Sequence, residues 1–363
     1  MQQVLAQRRM TRGVAVGAVL LGSGHPISVQ SMTTTDTRDA AATLAQIAEL
    51  AAAGCDLVRV AVPDAATAYA LRAIVAGSPV PVVADVHFDY RLALAALDAG
   101  AAKLRLNPGN IGSRERVAEV ARAAQTRRVP IRVGVNAGSL ERELLQAVES
   151  GSMSAAEAMA ESALREARML EECGVADIVL SVKSSDVLTT IAAYQRLAGR
   201  CDYPFHIGIT EAGTRASGLV KSAAGIGILL AQGLGDTLRV SLTAPPVEEA
   251  CAGRRILQAL GLRTYGPQVI SCPTCGRTEV DVTSIAEELE RRIASDERLR
   301  RVACTVAVMG CVVNGPGEAR AADVGFAGGR NEGVLFRRGE KIGKVDAQDA
   351  VERLIEEMRT FDV

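Results

Sequence analysis

The segment "VISCPTCGRTEVDV", residues 269–282, sets two thiols, Cys272 and Cys275, in a CxxC unit within a chain whose other cysteines stand singly. Two thiolates so spaced grip one metal ion or two corners of an iron–sulfur cluster. The eight cysteines, at 55, 173, 201, 251, 272, 275, 304 and 311, are too sparse for a disulfide scaffold. Company for the CxxC unit can come only from Cys304 and Cys311. A structural zinc closed by four Cys or His is awkward, because 304 and 311 form no second CxxC and no histidine follows His206. A cluster asks for three or four soft ligands: Cys272, Cys275 and Cys311 supply three, and Glu318, across the tight "NGPG" turn, offers a weaker, displaceable fourth. Cys304 lies in the alternating "ACTVAV" and reads as core. A redox-inert CxxC beside two core cysteines stays open as the plain alternative.

A second set of reactive residues is basic. Arg59 in "LVRVAV", Arg105 in "KLRLNP", Arg132 in "IRVGV", Lys183 in "VLSVKS" and Arg239 in "LRVSL" stand inside apolar, β-branched runs. A buried guanidinium is costly unless an anion pairs with it, and Arg matches phosphate oxygens in bidentate fashion. Five such cations, each in a different strand run, point to a phosphorylated substrate, although any one of them alone would also suit an ion pair with a helix carboxylate. Polar residues close the same runs: Asp85 and His87, Asn107 and Asn110, Asn136, then His206, Thr210 and Glu211, and Ser241. His87 and Glu211 are candidates for proton transfer or hydroxyl binding.

These residues recur on a repeated unit, a short β-branched run followed by an Ala-rich helical pattern. Eight runs have strand character, at 26–32, 56–62, 81–88, 102–108, 130–138, 177–185, 205–213 and 236–242. Eight strand–helix units in residues 1–265 predict a closed parallel (β/α)8 TIM barrel, with ligands at the C-terminal ends of its strands. The connection 139–176 is long enough for two helices. Composition changes after residue 265, and 266–363 reads as a smaller α/β domain, with helices at 284–296 and 347–360 and strands in 302–310, 321–329 and 332–345.

Composition narrows the rest. Forty-one Lys and Arg against 42 Asp and Glu, with 3 % aromatics and no Trp, argue against a nucleic-acid binder. No charge-free run of about 18 apolar residues exists to span a membrane. The apolar stretch 13–22 is Gly-rich and lacks a small-residue exit site, so it does not read as a secretory signal, and the cytoplasm is expected.

Long motifs carry a resemblance. "PISVQSMT", "ADVHFDYRLAL", "KLRLNPGNIG", "RVGVNAGSLE", "HIGITEAG", "KSAAGIGILLAQGLGDTLRVSLTAPPVEE", "SCPTCGR" and "GCVVNGPGEA" occur in this order, and with them the chain resembles the bacterial 4-hydroxy-3-methylbut-2-enyl diphosphate synthases from about residue 13 onward. The resemblance implies an oxidoreductase of the non-mevalonate isoprenoid pathway. It would open 2-C-methyl-D-erythritol 2,4-cyclodiphosphate and expel water to give the linear allylic diphosphate, with two electrons from flavodoxin or ferredoxin. It implies a 4Fe-4S cluster on Cys272, Cys275, Cys311 and Glu318, and a homodimer. It implies diphosphate contacts from Arg59, Arg105, Arg132 and Lys183, with Asn136, His206 and Ser241 in the same pocket, and catalytic roles for Glu211, Asp85 and His87. The residues by themselves leave two rivals: a non-redox barrel enzyme with a zinc in its tail and Lys183 as a Schiff-base lysine, and a cluster-bearing sensor that only captures a phosphorylated metabolite.

Overall fold

The computed structural model describes residues 5–330 and 332–362; the first four residues of the basic start lie outside them. Internal contacts divide the chain into two units, Met1–Arg263 and Thr264–Val363. Arg263 belongs to the first because its guanidinium is tied to Asp56 at 2.7 Å and to the carbonyl of Ile27 at 2.9 Å.

The first unit opens with a hairpin, β1 (Val14–Val16) and β2 (Val19–Leu21). Eight parallel strands follow: β3 (Ser28–Met32), β4 (Leu57–Ala61), β5 (Val82–Asp85), β6 (Lys103–Leu106), β7 (Ile131–Asn136), β8 (Ile178–Lys183), β9 (His206–Ile207) and β10 (Thr237–Leu238). Their order around the sheet is β8-β7-β6-β5-β4-β3-β10-β9, and a parallel bridge between Leu180 and Phe205 joins β8 to β9 and closes the ring. Each run expected as a strand contains one of these eight, and the connection 139–176 holds two helices, Arg142–Glu149 and Ala155–Glu172. Strand residues point alternately to the lumen and to the helices, so β-branched residues on the outer side pack the helix layer while the inner side is free to carry function.

The two ends of the barrel differ in chemistry. At the N-terminal end, Val14, Val16 and Leu21 of the hairpin pack against Leu57, Val83 and Val179 of the strands. Each of these six side chains is withdrawn from water, which stabilises by about 1.5–3 kcal/mol apiece and seals that end. At the other end the helices are pinned where they leave the strands. Asp39 accepts the Ala42 amide at 2.9 Å, Asp186 accepts that of Thr189 at 2.7 Å, and Asp64 forms a capping box with Thr67. Such caps satisfy amides that the first helical turn leaves unpaired and fix the loops around the mouth.

The second unit is a five-stranded sheet of order β11 (Gln268–Ser271), β12 (Thr305–Met309), β13 (Val324–Ala327), β14 (Glu332–Arg337) and β15 (Glu340–Asp346). The first three are parallel and the last two antiparallel. Helices Val282–Ser295 and Ala350–Met358 bury Leu289, Ile293, Leu354 and Ile355 in one core with Val306, Val308 and Phe326. The short helix Gly315–Ala321 packs Ala319 with Met309 and Phe336 in another.

Three local readings change. The stretch 13–22 is the β1–β2 hairpin, and "QVIS" is a strand; both are too short for alternation to declare itself. "NGPG" is not a tight turn but the start of a helix, with Asn314 at the N-cap and Pro316 in the first turn. Proline there costs nothing, because its missing amide would be unpaired anyway.

Candidate active site and thiol centre

Parallel register builds the first site. It sets Asp85 beside Arg105, Arg105 beside Arg132 and Asn136 beside Lys183, so these side chains share the inner face of neighbouring strands. They line a cavity of about 160 Å³ at the C-terminal end of the barrel, with Arg59, His87, Arg239 and Ser241. Two glycines make room. A Cβ on Gly134 would lie 2.7 Å from Arg105 Nε, and one on Gly208 would lie 2.8 Å from Lys183 Nζ and 2.3 Å from the Arg239 carbonyl oxygen.

Asp85 is the hub. Its carboxylate lies 3.4 Å from Arg105 Nη1, 3.4 Å from His87 Nε2 and 3.7 Å from Arg59 Nε. Burial pushes its pKa up, but Arg59, His87 and Arg105 outweigh that and hold it well below the usual carboxylate range. Arg105 Nη1 also lies 3.0 Å from His87 Nδ1, and its Nη2 donates to the Gly134 carbonyl at 3.3 Å. Glu249, buried behind the wall, holds Arg239 at 3.2 Å and accepts from Ser31 Oγ and the Leu242 amide, both at 2.9 Å.

Positive charge is left over. Five basic side chains, Arg59, Arg105, Arg132, Lys183 and Arg239, meet two carboxylates, Asp85 and Glu249. Arg132 is 2 % exposed, and its Nε and Nη1 are buried without a hydrogen-bond partner. Burial, followed by the fields of Arg59 and Arg105, lowers the Arg132 pKa; burial and neighbouring cations do the same to Lys183, and burial brings Arg59 to about 10. Charges disfavoured in this way are relieved by an incoming anion, so the mouth is built to receive a phosphorylated group.

Of the barrel residues singled out from the sequence, Arg59, Asp85, His87, Arg105, Arg132, Asn136, Lys183, Thr210, Arg239 and Ser241 come together around this cavity. Asn107, Asn110, His206 and Glu211 are not in its wall. His206 is fully buried, with Nδ1 3.4 Å from Thr237 Oγ1, and burial with Lys183 and Arg132 nearby pushes its pKa well down. As the first residue of β9 it precedes the wall residues Ile209 and Thr210 by a few positions, which keeps it out of the wall. Glu211 is exposed just beyond β9, in the left-handed region at φ 49°. A non-glycine residue held there stores strain, a feature that clusters at functional sites. Ser181 and Gly134 join the wall unannounced, although the two-residue alternation from Lys183 and Arg132 points to both.

The second site stands in the other unit, where β11 and β12 run parallel side by side, so Cys272 and Cys311 leave the same edge of the sheet. The Gly310 amide donates to Cys272 Sγ at 3.2 Å. The loop carrying Cys275 folds over this edge: the Cys275 amide donates to Thr278 Oγ1 at 3.0 Å, and the Glu279 amide to the Gly310 carbonyl at 2.8 Å. Backbone amides of Asn314, Val313 and Gly315 lower the Cys311 pKa, and the Arg277 amide leads in lowering that of Cys275. Amides aimed at sulfur favour thiolates, the form a cluster binds. Cys304 is the opposite case: it is packed in the core, and burial raises its pKa to about 11. Glu318 is exposed on the helix that follows Cys311. Among the described residues no three His, Cys, Asp or Glu side chains converge as ligands of a single ion do. A cubane takes its ligands at separate corners, and the amide-fed thiols fit such a group.

A (β/α)8 barrel with an anion-receiving mouth, followed by an α/β unit presenting thiols, defines the class. The GcpE TIM-barrel domain matches residues 11–254 and the GcpE protein C-terminal domain matches residues 268–360, and the chain belongs to this family. It is 60 % identical over 349 residues to a protein of Geobacter sulfurreducens, covering 96 % of this chain and 97 % of that one. Similar relatives come from Magnetococcus marinus, 54 % identical and covering 99 % and 95 % of the two chains, and Caldanaerobacter subterraneus, 51 % identical and covering 98 % of each. All three are 4-hydroxy-3-methylbut-2-en-1-yl diphosphate synthases (flavodoxin).

Proposed function

We propose that the protein opens 2-C-methyl-D-erythritol 2,4-cyclodiphosphate reductively and dehydrates it to (E)-4-hydroxy-3-methylbut-2-enyl diphosphate. Two electrons enter from reduced flavodoxin or ferredoxin, a ring carbon–oxygen bond to phosphate breaks, and a hydroxyl takes a proton and leaves as water. Family membership over both units supports this reading. The observation that carries it on this chain's own residues is the buried, unpartnered guanidinium of Arg132 among four further cations.

Arg59, Arg105, Arg132 and Lys183 are read as the clamp on the diphosphate, with Asn136 and Ser241 completing its hydrogen bonds. His206, read from the sequence as part of the same pocket, is buried outside the cavity wall and held toward its neutral form by burial and the fields of Lys183 and Arg132, so it adds no charge to the clamp. Asp85 and His87 hold Arg105 and present polar atoms to the carbon skeleton. Glu211, at the rim, is the candidate to hold or protonate the departing hydroxyl. Cys272, Cys275, Cys311 and Glu318 are the ligands read for the 4Fe-4S cluster, which when bound supplies single electrons at low potential. Substrate binding belongs to the barrel and cluster binding to the second unit, divided near residue 265. No helix among the described residues is long and apolar enough to cross a membrane, and a cytoplasmic homodimer is the form proposed.

The test is turnover of the cyclic diphosphate by protein purified without oxygen, with a reduced one-electron donor, alongside iron and labile sulfide per chain. Formation of the linear diphosphate, with kcat reduced about 10²-fold or more in Glu211→Gln and KM little changed, is expected. Zinc without sulfide, or no product, would return the barrel to a non-redox reading.

A further inference from the structure

The helix Ala155–Glu172 turns one carboxyl inward: Glu166 is 3 % exposed. Its Oε2 is buried without a hydrogen-bond partner, and so is Oε2 of Glu141, the residue before helix Arg142–Glu149. The two carboxyls act on one another electrostatically. A carboxyl removed from water in this way is favoured as the neutral acid.

Glu166 also touches the substrate side of the barrel. A Cβ on Gly109 would lie 3.3 Å from Glu166 Oε1, so this oxygen rests against the turn that ends β6. In that turn the Gly109 amide donates to Asn107 Oδ1 at 3.2 Å, and Asn107 caps the short helix Pro108–Ile111. Asn107 stands two residues beyond Arg105, whose guanidinium lines the cavity.

We infer that Glu166 braces the Asn107–Gly109 turn and through it Arg105, which makes Glu166 a positioning residue for phosphate binding. The inference rests on the reading of Arg105 given above. The charged groups facing Glu166 are Glu141, from the segment before its helix, and Arg105, from β6. Burial first and Glu141 second raise the Glu166 pKa to about 8, against the opposing pull of Gly109, Arg105 and Asn107. Above that pH the lost proton leaves a buried carboxylate on Glu166, an internal anion for Arg105 that competes with substrate. The folded pKa lies above the unfolded value, so the fold binds the proton more tightly; stability is therefore highest below the unfolded pKa and falls as pH rises toward 8.

The experiment compares wild type and Glu166→Gln as cluster-loaded protein from about pH 6 to about 9.5, measuring KM for the cyclic diphosphate and the melting temperature. In parallel, the Glu166 carboxyl is followed by carbon-13 NMR in protein labelled at glutamate Cδ and assigned by the signal lost in the variant. The wild-type KM should climb above pH 8 by up to about tenfold per unit, while that of the Gln variant stays flat. The melting temperature should shift in the variant's favour as pH rises, and the Glu166 carbon should titrate near pH 8. A Glu166 signal that titrates with the ordinary carboxylates, or the same rise in KM in both proteins, would overturn the inference. Absence of turnover by wild type would count against the proposed reaction, while the carbon titration would still test the Glu166 carboxyl, with Glu166→Asp supplying the assignment where the Gln variant fails to fold.

Discussion

Replacing Arg132 with Met should have effects of opposite sign on stability and on binding. The guanidinium is 2 % exposed, and its Nε and Nη1 have no partner. Its charge is therefore held out of water with Asp85 as the carboxylate that bears on it and Arg59 and Arg105 opposing. Met fills much of the same volume without charge. Exchanging a buried charge for an apolar residue of similar size is neutral to stabilising by up to about 4 kcal/mol, which at about 2–4 °C per kcal/mol is a rise of up to about 8–16 °C. The bound state runs the other way. Two charge-assisted hydrogen bonds from Nε and Nη1 to phosphate, at about 1.5–3 kcal/mol each, convert to a loss of about 10²–10⁴-fold in affinity. Calorimetric melting of the substrate-free protein and titration calorimetry with the cyclic diphosphate measure the two quantities. A variant that melts lower than wild type and binds within about threefold of it would refute the claim that Arg132 waits, unpaired, for an anion.

Gly134→Ala would place a methyl 2.7 Å from Arg105 Nε; the displaced guanidinium should raise KM about tenfold with little change in kcat, read from steady-state kinetics. Asp85 is held below its unfolded pKa of about 3.9, so its contribution to stability is fully present above that pH and is lost progressively as pH falls from there through the lower folded value; melting temperatures at graded acid pH should converge for wild type and Asp85→Asn, and parallel curves would contradict this. Cys311→Ala should lose iron and labile sulfide, whereas Cys304→Ala should keep both and cost only about 1 kcal/mol in urea unfolding, because Cys304 is packed in the core.

Much of the barrel was legible because its signals are local. Each β-branched run carries its own two-residue alternation, and each intervening segment its own helical period, so eight units can be counted without knowing how they meet. The basic residues were legible for the same reason: Arg59, Arg105 and Arg132 contradict their apolar surroundings, and that conflict marks a function. Short elements left too few residues to show a period, which is why the β1–β2 hairpin and "QVIS" passed unseen and the proline of "NGPG" read as a turn.

The amino-acid sequence by itself determined the barrel's strand count, the runs that carry the cations, and the core reading of Cys304 apart from the other thiols of its unit, since composition and alternation act over a few neighbouring residues. Only the tertiary structure decided which of these residues meet. Strand register made Asp85 the hub of Arg59, Arg105 and His87 and left His206 outside the wall. Parallel pairing of β11 with β12 brought Cys272 and Cys311 to one sheet edge, and the packing of helix Ala155–Glu172 set Glu166 against the Asn107–Gly109 turn. Residues distant along the chain become neighbours only when the ring closes and the helices dock, and the burial that shifts their ionisation exists only then.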